Sequence, residues 1–199
     1  QTCALPISVD RIDYSNDTVA ASPKGPLSIA RHAAAATGNS SFGYFGGGNE
    51  SPSAEYSTVD RIDYSNDTVA ASVRGPLNVS GGNSSNLAAS SSQANAITAD
   101  TLFPASSDQR PNVVPQGTDF GYFGGGAEGA PNYASSRVDR VDYSNDTATA
   151  STKGPLAGAV YRLAAASSAF YGYFSGGYQP NPSPSLQPKS WTQRIDYSN

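Results

Sequence analysis

Val59-Asp60-Arg61-Ile62-Asp63-Tyr64-Ser65-Asn66-Asp67-Thr68-Val69-Ala70-Ala71-Ser72-Val73-Arg74-Gly75-Pro76-Leu77, VDRIDYSNDTVAASVRGPL, has a near-copy on either side. Val9 to Leu27 reads VDRIDYSNDTVAASPKGPL, and Val138 to Leu156 reads VDRVDYSNDTATASTKGPL. The hexapeptide RIDYSN recurs once more at Arg194 to Asn199. A second block alternates with the first: FGYFGGG at Phe42 to Gly48 and at Phe120 to Gly126, and YGYFSGG at Tyr171 to Gly177. The chain is therefore an array of one unit, in which constant residues set the fold and variable loops carry the function.

Ile12 to Ile62 spans 50 residues, Ile62 to Val141 spans 79 and Val141 to Ile195 spans 54, so the period is near 50 with one insertion. Leu27 to Phe42 and Leu156 to Tyr171 both span 15 residues, whereas Leu77 to Phe120 spans 43, which places about 28 extra residues in the second unit. Units begin near residues 9, 59, 138 and 193 of a repeat region covering 9–199. Residues 78–116, rich in Ser, Ala and Asn, read as an inserted or disordered loop that leaves the second unit without a recognisable first strand. Residues 178–190, with Pro180, Pro182, Pro184 and Pro188, read as a second loop.

Local chemistry predicts strands. Short runs of Val, Ile, Tyr, Phe and Ala are separated by Gly-Asn-Ser-Ser, Ser-Asn-Asp-Thr and Lys-Gly-Pro, all turn-forming sequences. No helical stripe of apolar residues competes. Alternation along Val9 to Tyr14 puts Asp10, Ile12 and Tyr14 on one face and Val9, Arg11 and Asp13 on the other. Neither face is purely apolar, as expected of a strand packed between neighbouring sheets with an Arg and an Asp satisfying each other. The glycines after Tyr-Phe, such as Gly46, Gly47 and Gly48, lack Cβ and allow positive φ and close backbone approach. None is followed by the Lys-Ser or Lys-Thr of a phosphate loop.

A period near 50 with glycines closing an aromatic strand resembles the kelch repeat, and the likeness extends to individual residues. Arg31-His32-Ala33-Ala34-Ala35-Ala36 is similar to the kelch first strand, Phe42 to Gly48 to the second, Val9 to Asp13 to the third, Asn16-Asp17-Thr18 to the turn, and Val19 to Ser22 to the fourth. The chain departs from the family at its Trp, replaced by Val19, Val69 and Ala148, and at the Tyr before Asp, replaced by Ile12, Ile62 and Val141. The resemblance implies an all-β fold: a partial kelch-like β-propeller of four-stranded antiparallel blades, with about three repeats and the start of a fourth. Its structural repeat positions are Arg11, Asp13, Gly46, Gly47, Arg61, Asp63, Gly124, Gly125, Arg140, Asp142, Gly176 and Gly177. Closed propellers have four to eight blades, and the last copy ends at Asn199 before the expected Asp-Thr. The expectation is a fragment of a longer array.

Gln1 to Ile7, QTCALPI, resembles the translation of a short-read sequencing adapter, so residues 1–8 read as a non-native leader and Cys3 as foreign to the repeat. Without Cys3 no disulfide or cysteine metal site is available, and the compartment is unreadable. The net charge is −4, from 12 basic and 16 acidic side chains that are scattered. No basic stripe follows phosphates, which argues against nucleic acid, and no apolar run is long enough for a membrane-spanning helix. His32 is the one histidine and stands where the kelch pattern carries histidine, which favours packing over catalysis. Asp13, Asp63, Asp142 and Asp196 recur once per unit and suit backbone capping better than acid-base pairing. No catalytic residue, cofactor or metal is therefore expected, and the chain reads as a non-enzyme. Asn16, Asn39, Asn49, Asn66, Asn78, Asn83 and Asn145 satisfy Asn-x-Ser/Thr, although Asn-Asp-Thr also suits a turn on its own.

Two classes of function remain. One is a binding or scaffold module that recognises protein or glycan through its blade-connecting loops, of which Asn49 to Ser57, Ala127 to Arg137 and Tyr178 to Gln193 share almost nothing. The other is a structural or adhesive repeat of a viral tail fibre or cell-surface filament, which near-identity of units suits and which implies an extracellular or virion setting. Open blade edges are expected to self-associate.

Overall fold

A strand with a bulky side chain on both faces needs a neighbour on both faces, and the constant blocks fold accordingly. The computed structural model describes residues 8–51, 54–79, 84–92, 119–128, 133–168, 170–179 and 187–197. The leader lies outside them except for Ser8, as does most of the inserted loop.

The first described element is an antiparallel ribbon of β1 (Val9–Arg11) and β2 (Ser22–Lys24). Next come β3 (Ala35–Gly38), β4 (Phe42–Gly46), a small ribbon of β5 (Asn49–Ser51) with β6 (Ala54–Glu55), then β7 (Val59–Asp63) and β8 (Ser72–Arg74). The pattern repeats as β9 (Ala88–Ser91), β10 (Phe120–Gly124), the ribbon β11 (Ala127–Glu128) with β12 (Tyr133–Ala134), β13 (Val138–Asp142) and β14 (Ser151–Lys153). It returns as β15 (Ala164–Ser167), β16 (Tyr171–Ser175), the ribbon β17 (Tyr178–Gln179) with β18 (Gln187–Pro188), and β19 (Thr192–Asp196).

The protein is all-β. Sheet one is β3-β4-β7-β8, sheet two is β9-β10-β13-β14, and sheet three is β15-β16-β19, each antiparallel between sequence neighbours. Register is the same in all three: Tyr44 faces Arg61, Tyr122 faces Arg140 and Tyr173 faces Arg194. The β1-β2 ribbon corresponds to strands three and four of such a sheet.

Three local expectations shift. The first strand runs over Ala35–Gly38 rather than from Arg31, because His32 instead pairs with Asn49 and Ala33 turns to φ 55°. The fourth strand begins at Ser72, and at Ser22 in the first copy, rather than at Val69 and Val19. Here Ala71 N is bonded to Pro26 O of the preceding unit, at 2.8 Å, before the chain can join its own ladder. The second unit does have a first strand, β9, lying inside the stretch read as an insertion.

The core lies between sheets. Phe42, Tyr44 and Gly46 alternate with Gly43 and Phe45, so β4 presents one set to the following sheet and the other to the preceding side. Phe123 of sheet two is buried over Gly46 of sheet one, and Phe174 of sheet three over Gly124 of sheet two; a Cβ on either glycine would stand 2.7 Å from the ring. Beside each phenylalanine a tyrosine pair stacks across the gap. Tyr44 meets Tyr143 with centroids 4.8 Å apart, and Tyr122 meets Tyr197 at 4.7 Å. Val59, Leu77, Leu87 and Val141 complete the first interface, and Val138, Leu156 and Val160 the second.

Polar links follow the same step. Arg61 donates to Asp146 of the next unit at 2.7 Å, and Tyr44 OH donates to that same carboxylate at 3.0 Å; Arg11 reaches Asp67 at 2.7 Å. The arginine of the repeat thus pairs with the next unit's Asn-Asp-Thr turn, not with the aspartate of its own strand. That aspartate, as Asp13, Asp63 or Asp142, accepts the backbone N–H and hydroxyl of the serine two residues on and caps the turn.

Gly75 lies under the next unit's turn, where a Cβ would be driven into the Ala148 carbonyl. Gly75→Ala is expected to destabilise the fold by about 3 kcal/mol through overpacking, read as a fall in the thermal midpoint. Burial pushes the Tyr143 and Tyr197 phenols up to about 12, against about 10 in an unfolded chain. A raised phenol pKa stabilises the fold fully below the unfolded value, and that stabilisation is lost as pH climbs toward the folded one. Alkaline titration followed by phenolate absorbance should show these rings ionising together with unfolding between about pH 10 and 12. Non-cooperative ionisation of every tyrosine near 10 would contradict the interface.

Candidate functional site

The twelve repeat positions divide into two places. Arg11, Arg61, Asp13, Asp63 and Asp142 lie at the inter-sheet links and turns just described, and Arg140 occupies the equivalent position in sheet two. The glycines lie at the other end of the strands, where the chain leaves the second strand for the variable ribbon. Gly46 and Gly124 are the close-approach positions under the phenylalanines. Gly47, Gly125 and Gly176 have φ of 67°, 67° and 72°, and Gly177 has φ 90°. Gly48 N then donates to Ser84 O of the next unit at 2.8 Å, and Gly126 N to Val160 O at 2.9 Å.

This end gathers what varies between units. The ribbons β5-β6, β11-β12 and β17-β18 stand here, each joined by an antiparallel bridge to the segment that precedes a first strand: Asn49 to His32, Ala127 to Ser85, Tyr178 to Tyr161. The next residue along each segment is Ala33, Asn86 or Arg162, and all three have positive φ, at 55°, 54° and 57°. A left-handed backbone at a residue with a Cβ costs about 1 to 2 kcal/mol. A row of hydrogen bonds holds it in place: Asn86 N donates to Ala33 O and Arg162 N to Asn86 O, both at 2.9 Å. Sheet after sheet, these residues form a line across the array.

Around that line the side chains are chemically mixed. His32 and Arg162 are exposed, and the Arg162 guanidinium lies 5.6 Å from the Tyr161 ring. Tyr161 and Tyr178 meet at a tilt, centroids 6.1 Å apart. Glu50 is exposed and accepts from Tyr56 OH at 2.9 Å, while buried Ser85 donates to Glu55 at 2.9 Å. Arg137 pairs with Glu128 at 3.0 Å and with Asp139 at 3.2 Å.

Beneath the face is a support that motif reading missed. Asp60 accepts from Ser28 N and Ser28 Oγ, at 3.0 and 2.7 Å; Asp139 accepts from Asn78 N at 3.0 Å, and Gln193 from Gly158 N at 3.1 Å. The second residue of each of these third strands, Asp60, Asp139 or Gln193, thus fastens the linker arriving from the preceding unit. Its signal was the alternation that set Asp10 opposite Arg11, although the face could not reveal the partner. In sheet one Asp60 also pairs with the fully buried Arg31 at 3.1 Å. Burial pulls the Arg31 pKa down and the Asp60 carboxylate opposes it. Removing one member of such a pair costs about 3 to 5 kcal/mol.

His32 is exposed rather than packed, and its backbone is what the fold uses. Among the described residues no three His, Cys, Asp or Glu side chains gather as a metal site requires, and Cys3 lies outside those residues. No described helix is long and apolar enough to cross a membrane. Asn16 and Asn39 of the glycosylation sequons act in turns, Asn16 accepting from Thr18 and Asn39 from Ser41 N and Phe42 N.

No protein-family model matches the chain, and no curated protein matches it. Among solved structures the chain is similar to that of YjhT, with a TM-score of 0.64 at 13% identity over 94% of this chain and 48% of that one. Likeness at that identity is a likeness of fold. The chain spans about half the length of that protein.

The strained row can be tested directly. Ala33→Gly relieves the left-handed backbone and is expected to stabilise the protein by about 1 kcal/mol, seen as a higher thermal midpoint. A lower midpoint would mean that the Ala33 methyl matters more than its backbone.

Proposed function

We propose that this chain is a non-catalytic binding or scaffold module, a divergent kelch-like β-propeller array that recognises a protein or glycan ligand through the loop face. The observation that carries the reading is the row Ala33, Asn86 and Arg162: three different side chains displayed from one strained backbone geometry, stitched together by hydrogen bonds. Strain kept at equivalent positions with changing side chains is what a displayed surface needs, since backbone strain of this kind clusters at binding sites. The neighbouring ribbons differ in length and sequence while the sheets beneath hardly change, the usual division between a rigid scaffold and its binding loops.

The chemistry suits polar recognition with an aromatic floor. Arg162, Glu50 and His32 offer charge and hydrogen bonds, and the partly exposed Tyr178 ring, set against buried Tyr161, offers an apolar face that a sugar ring or a protein loop could cover. An extracellular or virion setting would fit both ligand classes.

Screening the chain against a glycan array and a protein library, then measuring affinity for the best hit, tests the reading. The triple variant His32→Ala, Glu50→Ala, Arg162→Ala should lose at least about tenfold in affinity, roughly 1.4 kcal/mol, with an unchanged thermal midpoint. Val19→Ala, exposed beside the Asn-Asp-Thr turn of the first copy at the opposite end of the strands, should bind like the parent. Equal binding by the triple variant would remove the loop face from the function.

A further inference from the structure

One position on the loop face changes its chemistry completely between sheets two and three. Thr58, Arg137 and Trp191 are equivalent, because the carbonyl of each accepts from the first left-handed glycine of its unit: from Gly47 N at 3.1 Å, and from Gly125 N and Gly176 N at 2.9 Å. In sheet two Arg137 is taken up by its own neighbours, Glu128 at 3.0 Å and Asp139 at 3.2 Å. In sheet three all three members differ together: Trp191 replaces the arginine, Gln179 replaces Glu128 and Gln193 replaces Asp139. Where sheet two has charges that consume one another, sheet three has an aromatic ring and two amides.

The ring stands clear of its support. Trp191 and Gln193 are two residues apart on extended chain and so share a side, and both meet Gly158 of the linker arriving from sheet two. Gln193 accepts from Gly158 N at 3.1 Å, and a Cβ on Gly158 would stand 2.6 Å from Trp191 Cζ3. The flanking ring atoms Cη2 and Cε3 would be 3.4 and 3.5 Å from that point, so the linker touches the edge of the indole and leaves its faces uncovered. This side looks back into the array, toward sheet two. The Lys189 ammonium lies 5.1 Å from the ring centroid, within cation–π range of one face, and Trp191 is 42% exposed. Gln193 is buried and committed to Gly158, whereas Gln179 is half-buried at the position from which Glu128 reaches Arg137.

We propose that Trp191 and Gln179 form a subsite for one pyranose unit of a glycan. A pyranose has an apolar C–H face and a rim of hydroxyls that both donate and accept. The open face of the indole takes the first, as an aromatic ring takes other apolar surface. The Gln179 amide, itself a donor and an acceptor, takes the second. Lys189 holds the other face of the ring and fixes its orientation. The carboxylates that occupy this place in sheet two are gone, so a neutral, hydroxyl-rich ligand meets no unpaired charge except the ammonium. The inference rests on the loop face being the binding surface, and it narrows the ligand of that face to a glycan.

Trp191 is the only tryptophan of the chain, so tryptophan emission reports on this ring alone. The full 199-residue chain is titrated with the methyl glycosides of glucose, galactose, mannose and N-acetylglucosamine and with oligosaccharides of each. At least one should give a saturable blue shift, with a Kd of about 1 mM for the monosaccharide. Trp191→Thr installs the residue that sheet one carries as Thr58, so the thermal midpoint should hold while affinity, read by calorimetry, falls at least about tenfold. Trp191→Phe should keep most of the affinity, and Gln179→Ala should lose about fivefold, the worth of one hydrogen bond. No saturable shift with any of these sugars, a sugar that binds without moving the emission, or a Trp191→Thr variant that binds like the parent overturns the inference. The reading of the whole face stands or falls separately, on the triple variant of His32, Glu50 and Arg162.

Discussion

Close approach between successive sheets is the constraint on which everything else depends. Phe123 can be buried only because Gly46 beneath it has no side chain, and the Asn-Asp-Thr turn of sheet two can reach Arg61 only because Gly75 lets the Ala148 carbonyl descend onto it. Neither sheet has a core of its own. The apolar and aromatic side chains of each are completed by its neighbours, which makes stability a sum of nearest-neighbour terms, as in other repeat arrays. That is why the same residue is buried in one copy and bare in another: Tyr143 and Tyr14 differ in neighbours, not in sequence context.

Much of this was legible from the chain. The alternation of FGYFG and VDRID located β4, β7, β10, β13, β16 and β19, because period-two patterning is a property of the strand itself. The all-β class followed from it. What was not legible depended on contacts between units. The alternation pairs the repeat arginine with an aspartate of its own strand, whereas the carboxylate that Arg61 takes, Asp146, is 85 residues away in the next unit's turn. The fourth strand was placed early for the same reason, since Ala71 N looks free for a ladder until Pro26 of the preceding unit is present. Ala88–Ser91 went unread as a strand because small residues give no hydrophobic period; its pairing with β10 supplies what its side chains do not.

The loop face was legible only as variation. That the ribbons differ was evident, but of the three left-handed positions only Asn86 is a residue that commonly adopts that backbone, and nothing in Ala33 or Arg162 announces it. The conformation is imposed from outside, by bridges to Asn49, Ala127 and Tyr178 on one side and by the row of bonds from unit to unit on the other. A position whose geometry is fixed by backbone bonds is free to change its side chain, and these three have done so.

That freedom links the two halves of the molecule. At one end of each strand the constant residues are committed: arginine to the next aspartate, tyrosine to the next tyrosine, glycine to the next carbonyl. Any substitution there is felt by two units at once, which explains why the block VDRIDYSND barely drifts between copies while its neighbours do. At the other end the backbone alone carries the register from Ala33 to Asn86 to Arg162, so the side chains answer to whatever they meet outside. The two ends are also coupled mechanically, because Asp60, Asp139 and Gln193 fasten each arriving linker under the face that the next ribbon forms. Adding a sheet to the array therefore extends the displayed row by one residue in fixed geometry, and the face grows in length with the stack that supports it.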